Sequence, residues 1–183
     1  HDGGSERTLE RLASPDERAR MRAAMEQPGP NDWDSFWQWT GPSGIVIADV
    51  PSGRRPEVMG KTVAEAAEAA GKEPIELAFD LLSSERMGVS MISFSQSEQV
   101  VARVMREPYV NVCTDGLLGG RPHPRAYGTY PRILGKYVRE QKVLTLEEAV
   151  RKMTSQAADA MHLSDRGRIA RGQVGDVVVF DAA

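Results

Sequence analysis

An α/β fold is predicted for this 183-residue chain, and it rests on apolar runs, helix-start signals and their alternation. "GIVIADV" (44–50), "GVSMISFS" (88–95) and "YVNVC" (109–113) are short, near-continuous apolar runs, the pattern of strands buried on both faces. A hydroxyl cap with glutamate three residues on marks helix starts at Ser14/Glu17, Thr62/Glu65, Ser95/Glu98 and Thr145/Glu148. Buried strands that alternate with helices argue for a parallel sheet covered by helices on both faces.

Taken in order, residues 5–27 read as helical up to "QPGP". Pro15 sits at a first helical position, where a missing N–H costs nothing. In "NDWDSFWQW", Trp33, Phe36 and Trp37 share helical spacing and are expected to form local core. The 44–50 strand follows, and "PSGRRPEVMG" is a turn region. Helices are predicted over 63–70 and 74–84, then the 88–95 strand. A helix over 96–106 carries Val100, Val101, Val104 and Met105 on one face. The 109–113 strand closes at Thr114-Asp115. A glycine- and proline-rich loop spans 116–128, followed by helices 130–140 and 146–161. The second of these bears a stripe of Leu146, Ala149, Val150, Met153, Ala157 and Met161. "GRIARGQVGDVVVFD" ends in a β-prone strand, 176–181.

Composition narrows the function classes. Hydrophobic residues make up 40 % and charged residues 27 %, the balance of a soluble globular protein. The formal net charge of −3 offers no general attraction for nucleic acid. No apolar run approaches a membrane span and the N-terminus has no signal-peptide core, so neither a nucleic-acid nor a membrane partner is expected. The sole cysteine, Cys113, excludes an internal disulfide, fits a reducing cytoplasmic compartment, and is expected to pack rather than react.

Chemistry concentrates in "NVCTDGLLGGRPHPRAYGTYPRIL" (111–134). Functional side chains of parallel α/β folds collect at strand carboxyl ends, where Asp115 lies. A carboxylate there can ligate a metal or shuttle a proton; the alternative is a turn or cap aspartate beside Gly116. Arg121, His123 and Arg125 could hold an anionic substrate group, or form a solvated loop. "GLLGG" lacks both the phosphate-loop and the dinucleotide fingerprints, and no HxH, HExxH or CxxC spacing occurs.

Residues 113–181, "CTDGLLGGRPHPRAYGTYPRILGKYVREQKVLTLEEAVRKMTSQAADAMHLSDRGRIARGQVGDVVVFD", resemble the C-terminal part of the D-aminoacylase (N-acyl-D-amino-acid deacylase) family of the amidohydrolase superfamily. The shared pattern runs from S/T-D-G through H-P-R, G-T-F/Y-P-R-x-L and L-x-E-A-x-x-K-M-T to a closing G-x-I-x-x-G-x-x-A-D-[LIV]-V-V-F-D. Gly175 departs from it by standing where alanine is usual. "GGSERTLERLASPDERARMR" and "GKTVAEAAEAAGKEPIELAFDLL" resemble the same family, so the likeness covers nearly the whole chain.

The resemblance implies a zinc-dependent hydrolase on a (β/α)8 barrel with a small β-domain. It would remove the acyl group from N-acyl-D-amino acids, with Asp115 as metal ligand and general base and Arg121, His123 and Arg125 near the substrate. Residues 1–60 would be an inserted segment and the return to the barrel, 61–165 the last β/α units, and 166–183 a strand of the small β-domain. The family's HxH pair, bridging cysteine and two later histidines lie upstream of the matched segment. A full barrel needs about 250 residues. The chain is therefore expected to be the C-terminal portion of a larger enzyme and to be inactive alone, because it lacks the remaining metal ligands. A missing N-terminal barrel portion, or self-association through unpaired strand edges, is the expected protein partner. The competing reading is a non-catalytic truncated homologue that pairs with another chain. A dihydroorotase-like or urease-like enzyme shares the aspartate but fits "RPHPRAYGTYPR" less well.

Overall fold

The computed structural model describes residues 3–27, 35–118 and 121–181, which fall into two compact units. The first comprises His1–Ser95 with Leu118–His123, the second Gln96–Leu117 with Pro124–Ala183.

In the first unit, α1 (Gly4–Leu12) and α2 (Pro15–Glu26) divide the predicted 5–27 helix. Ser14 causes the division, because its hydroxyl accepts the Glu17 amide at 3.4 Å and restarts the helix with Pro15 in the first turn. α3 (Phe36–Thr40) places Trp37 against the core, while Phe36 stands edge-on to Trp39 and is exposed. Trp33 lies outside the described residues. β1 (Ile45–Asp49), α4 (Val63–Ala70), α5 (Pro74–Ser84) and β2 (Ser90–Ser93) occupy the predicted places. The Thr62–Glu65 capping box starts α4 with both reciprocal bonds formed, a device that typically contributes roughly 0.5–2 kcal/mol.

β1 and β2 pair antiparallel, with Val46 opposite Ile92 and an irregularity between Ile47 and Asp49. Among the described residues this is the one hydrogen-bonded strand pair, so the expected parallel arrangement is not present. A parallel ladder needs a neighbouring strand running the same way, and these residues offer none. Ile45, Ile47 and Val50 pack with Val63, Ala66, Ala67, Leu77 and Leu81 in one apolar cluster. Leu12, Ile75 and Phe79 form a second. Arg18 and Arg22 tie α2 to α5 through Glu73, Glu76 and Asp80 at 2.7–3.0 Å.

The second unit contains α6 (Glu98–Arg106), α7 (Arg125–Arg132), a π-helical continuation Ile133–Glu140, α8 (Leu146–Met153) and α9 (Ser155–Ala160). The predicted 130–140 helix thus begins earlier and widens. Pro131 inside α7 removes an amide donor and crowds the carbonyl four residues back, and the π turns follow directly. The predicted 146–161 helix breaks at Thr154, whose backbone is non-helical. Met105, Ile133, Tyr137, Leu144 and Ala149 form the core, with Val101 and Met153 against it. Val100, Val104 and Met161 are exposed, so the predicted apolar faces are narrower than expected.

Residues 109–113 and 176–181 form no ladder, against the prediction of a strand in each. A β-prone run needs a partner strand to become one. Val177, Val178 and Val179 are consequently exposed, Val179 by 93 %. No helix among the described residues is long and apolar enough to cross a membrane.

The expected Ser95/Glu98 box is absent. Ser97 occupies the cap position without a capping bond, its hydroxyl donating instead to Gln99 Oε1 at 2.7 Å, and Glu98 is drawn elsewhere by stronger donors. Its carboxylate accepts from Lys136 Nζ at 2.8 Å, the Tyr137 hydroxyl at 2.6 Å and Arg132 Nη2 at 2.6 Å. These bonds lower its pKa from 4.5 to about 2. A depressed carboxylate stabilises the fold above its unfolded pKa and loses that contribution as pH falls through the folded value. Wild type should therefore have a higher Tm than Glu98→Gln above pH ~4.5, with the gap closing towards pH about 2. Solvent screening keeps the gap modest, and thermal melts at stepped pH measure it.

Candidate functional site

The chain enters the candidate site through residues 107–114 of the second unit. Asp115 has φ 44°, a left-handed conformation that aspartate tolerates better than most residues. Gly116 donates its amide to Thr114 Oγ1 at 3.2 Å. A Cβ on Gly116 would meet the Ala126 Cα at 2.9 Å, so glycine is required for the junction to lie against the first turn of α7. That turn begins with Arg125, whose Nη2 donates to Asp115 Oδ2 at 2.9 Å.

The pairing has a simple electrostatic basis. A cation at a helix N-terminus opposes the macrodipole, and a carboxylate beside it is favoured by both. Asp115 is 80 % exposed, so its second oxygen is accessible for a proton or a metal. A turn aspartate accounts for the backbone conformation. It does not account for the guanidinium drawn to the carboxylate across ten positions of sequence.

Arg121 is placed differently. In the first unit its amide donates to the Ala48 carbonyl at 2.9 Å, and its side chain lies over Gly60, where a Cβ would meet Nη1 at 2.5 Å. The irregularity in β1 falls at Ala48, and an interrupted ladder leaves such a carbonyl available. His123 belongs to the same unit and is half-buried. Of the four predicted residues, the structure thus pairs Asp115 with Arg125 and assigns Arg121 and His123 to the other unit.

Cys113 is exposed, a correction to its expected packing. Without a sheet at 109–113, no strand alternation turns it inward. Sequence reading also missed Lys152 and Gln156, which reach the segment leading to Asp115. Lys152 is 0 % exposed, and its Nζ donates to the carbonyls of Glu107 and Val110. Gln156 Nε2 donates to the same Val110 carbonyl at 3.1 Å. The available signal was periodicity: Lys152 stands one helical turn after buried Ala149, on the core side of α8.

Among the described residues, no three His, Cys, Asp or Glu side chains gather into a possible metal site. A catalytic zinc usually has three protein ligands and a water, so Asp115 could supply one ligand but these residues do not form the whole centre.

Comparison with known proteins gives the family of the chain and the extent of the match. The model of the amidohydrolase family matches residues 55–183. An N-acyl-D-glutamate deacylase from Alcaligenes xylosoxydans xylosoxydans is 42 % identical over 128 residues, covering 69 % of this chain and 25 % of the relative. A D-aminoacylase from the same organism is 36 % identical over 129 residues, or 70 % of this chain and 26 % of the relative. In structure, the chain is similar to an N-acyl-D-glutamate deacylase from Bordetella bronchiseptica complexed with zinc and a phosphonate inhibitor. The TM-score is 0.70 at 30 % identity, over 98 % of this chain and 37 % of that one. A D-aminoacylase described as defining a novel subset of amidohydrolases gives a TM-score of 0.65 at 35 % identity, over 76 % of this chain and 28 % of that one. The chain therefore spans about a quarter of the length of the curated relatives it matches.

Proposed function

The chain belongs to the amidohydrolase family, and on that premise we propose that it supplies the carboxylate-bearing part of a zinc-dependent deacylase acting on N-acyl-D-amino acids. The observation that carries this reading is the Asp115–Arg125 pair, an accessible carboxylate held at 2.9 Å on the first turn of α7. Asp115 is assigned as general base and as one metal ligand, the others coming from outside residues 1–183. Its free oxygen accepts a proton from the attacking water, and the same carboxyl returns it to the departing amine nitrogen. Arg125 is assigned to the substrate carboxylate, which suits a guanidinium fork and would exchange with Asp115 as partner. Arg121 and His123 are proposed for substrate contacts on sequence grounds alone. The division at residues 60 and 165 and a cytoplasmic location belong to the same proposal.

A second reading, a non-catalytic chain that pairs with another, is favoured by the exposed valines at 177–179. Zinc content, deacylase activity and light scattering separate the two. The 183-residue chain is expected to bind zinc weakly and hydrolyse no N-acyl-D-amino acid alone, then to gain both properties when combined with a segment carrying the missing ligands. Tight stoichiometric zinc in the chain alone would mean that its ligand set has been misread. Stable pairing without zinc or turnover would favour the interaction module.

A further inference from the structure

We propose that Lys152 is a positioning residue for Asp115, acting through the backbone of residues 107–113. The role deepens the deacylase reading and rests on it for its catalytic meaning, although the restraint itself does not. Lysine is among the residues least often buried, yet Lys152 is fully buried on α8. An aliphatic side chain would fill the same space without taking an ammonium out of water. What an aliphatic side chain lacks is hydrogen-bond donors, and two carbonyls of the neighbouring segment accept them from Lys152.

Lys152 Nζ donates to the carbonyls of Glu107 and Val110, the latter at 3.0 Å. Gln156 Nε2 adds a second donor to Val110 at 3.1 Å. In return, the Val112 amide donates to the Lys152 carbonyl at 3.3 Å. Lys152 therefore grips the segment with both its side chain and its backbone. The grip ends three residues before Asp115, and Gly116 is seated against Ala126 on the far side. Asp115 is thus suspended between two fixed points, the first of which depends on one buried ammonium.

The test uses the full chain, without metal or substrate. Lys152→Met keeps an unbranched apolar stem of nearly the same length and removes the charge and the donors. Backbone 15N relaxation should show order parameters at Cys113–Gly116 falling from about 0.85 to below ~0.6, while far-UV circular dichroism stays unchanged. Val112 amide exchange should accelerate at least about tenfold, as its local opening becomes easier. Gln156→Met, which leaves Lys152 in place, should produce a smaller change of the same kind and remains informative if Lys152→Met does not fold. A folded Lys152→Met chain with unchanged order at 113–116 would overturn the proposal, as would wild-type order parameters already low there. If Lys152→Met is unfolded, unchanged order in Gln156→Met would overturn it too. Failure of the deacylase reading appears in a different measurement, the zinc and activity assays, so the two outcomes are distinguishable.

Discussion

Replacing Asp115 with Asn is expected to lower kcat for N-acyl-D-amino-acid hydrolysis by about 10²–10⁴-fold in an enzyme completed around this chain. Asparagine nearly preserves shape and can still accept the bond from Arg125 that aspartate accepts at 2.9 Å. It cannot take a proton from water at neutral pH. Because that proton moves only during reaction, the loss should fall on kcat and kcat/KM together. Arg125→Ala is the contrasting variant. If its guanidinium holds the substrate carboxylate before and during reaction, its removal raises KM more than it lowers kcat. Steady-state kinetics with zinc content measured for each variant distinguish the two. Near-normal turnover by a zinc-loaded Asp115→Asn enzyme would return Asp115 to a turn role.

Leu77→Ala should be among the most damaging of the simple core truncations, costing about 2–5 kcal/mol. Leu77 is 0 % exposed on α5 and packs in the cluster that joins β1 and α4. The loss combines the transfer free energy of the deleted carbons with that of the cavity they leave. A whole domain is typically stable by only about 5–15 kcal/mol, so one truncation removes a large share. Urea titration should show a lower midpoint with a similar slope. The exposed Val100 on α6 provides the comparison, since Val100→Ala should stay within about 0.5 kcal/mol of wild type. Equal effects at the two positions would contradict the burial assigned to them.

Local signals were legible where a few neighbouring residues decide the outcome. Thr62 with Glu65, and Glu73-Pro74 at the next helix, define α4 and α5 at their starts, and Gly71 closes α4 in a left-handed cap. Glu98 shows the limit of such signals. Its spacing from Ser95 suits a box, but Lys136 and Tyr137, nearly forty residues on, capture the carboxylate. The strands at 109–113 and 176–181 were misread for a related reason, because a strand is completed by its neighbour and neither segment has one here. At the site, Asp115 and Arg125 could be proposed from residue types, while their direct pairing could not. Lys152 escaped notice because charge usually signals solvent, and the carbonyls that draw it inward belong to residues 107 and 110.

The seat of Gly116 on Ala126 also bears on how this region can drift over time. Contact at the junction and the bond from Arg125 bring both ends of the intervening loop to the same place. The loop's length then has little to do with the spacing of the carboxylate and the guanidinium that it separates. Doubling a flexible loop costs only about 0.6 kcal/mol in closure entropy. Insertions between Leu117 and Pro124 that keep Arg121 and His123 could therefore accumulate among descendants without disturbing the pair, and a longer loop is by itself weak grounds for assigning two such chains different chemistry.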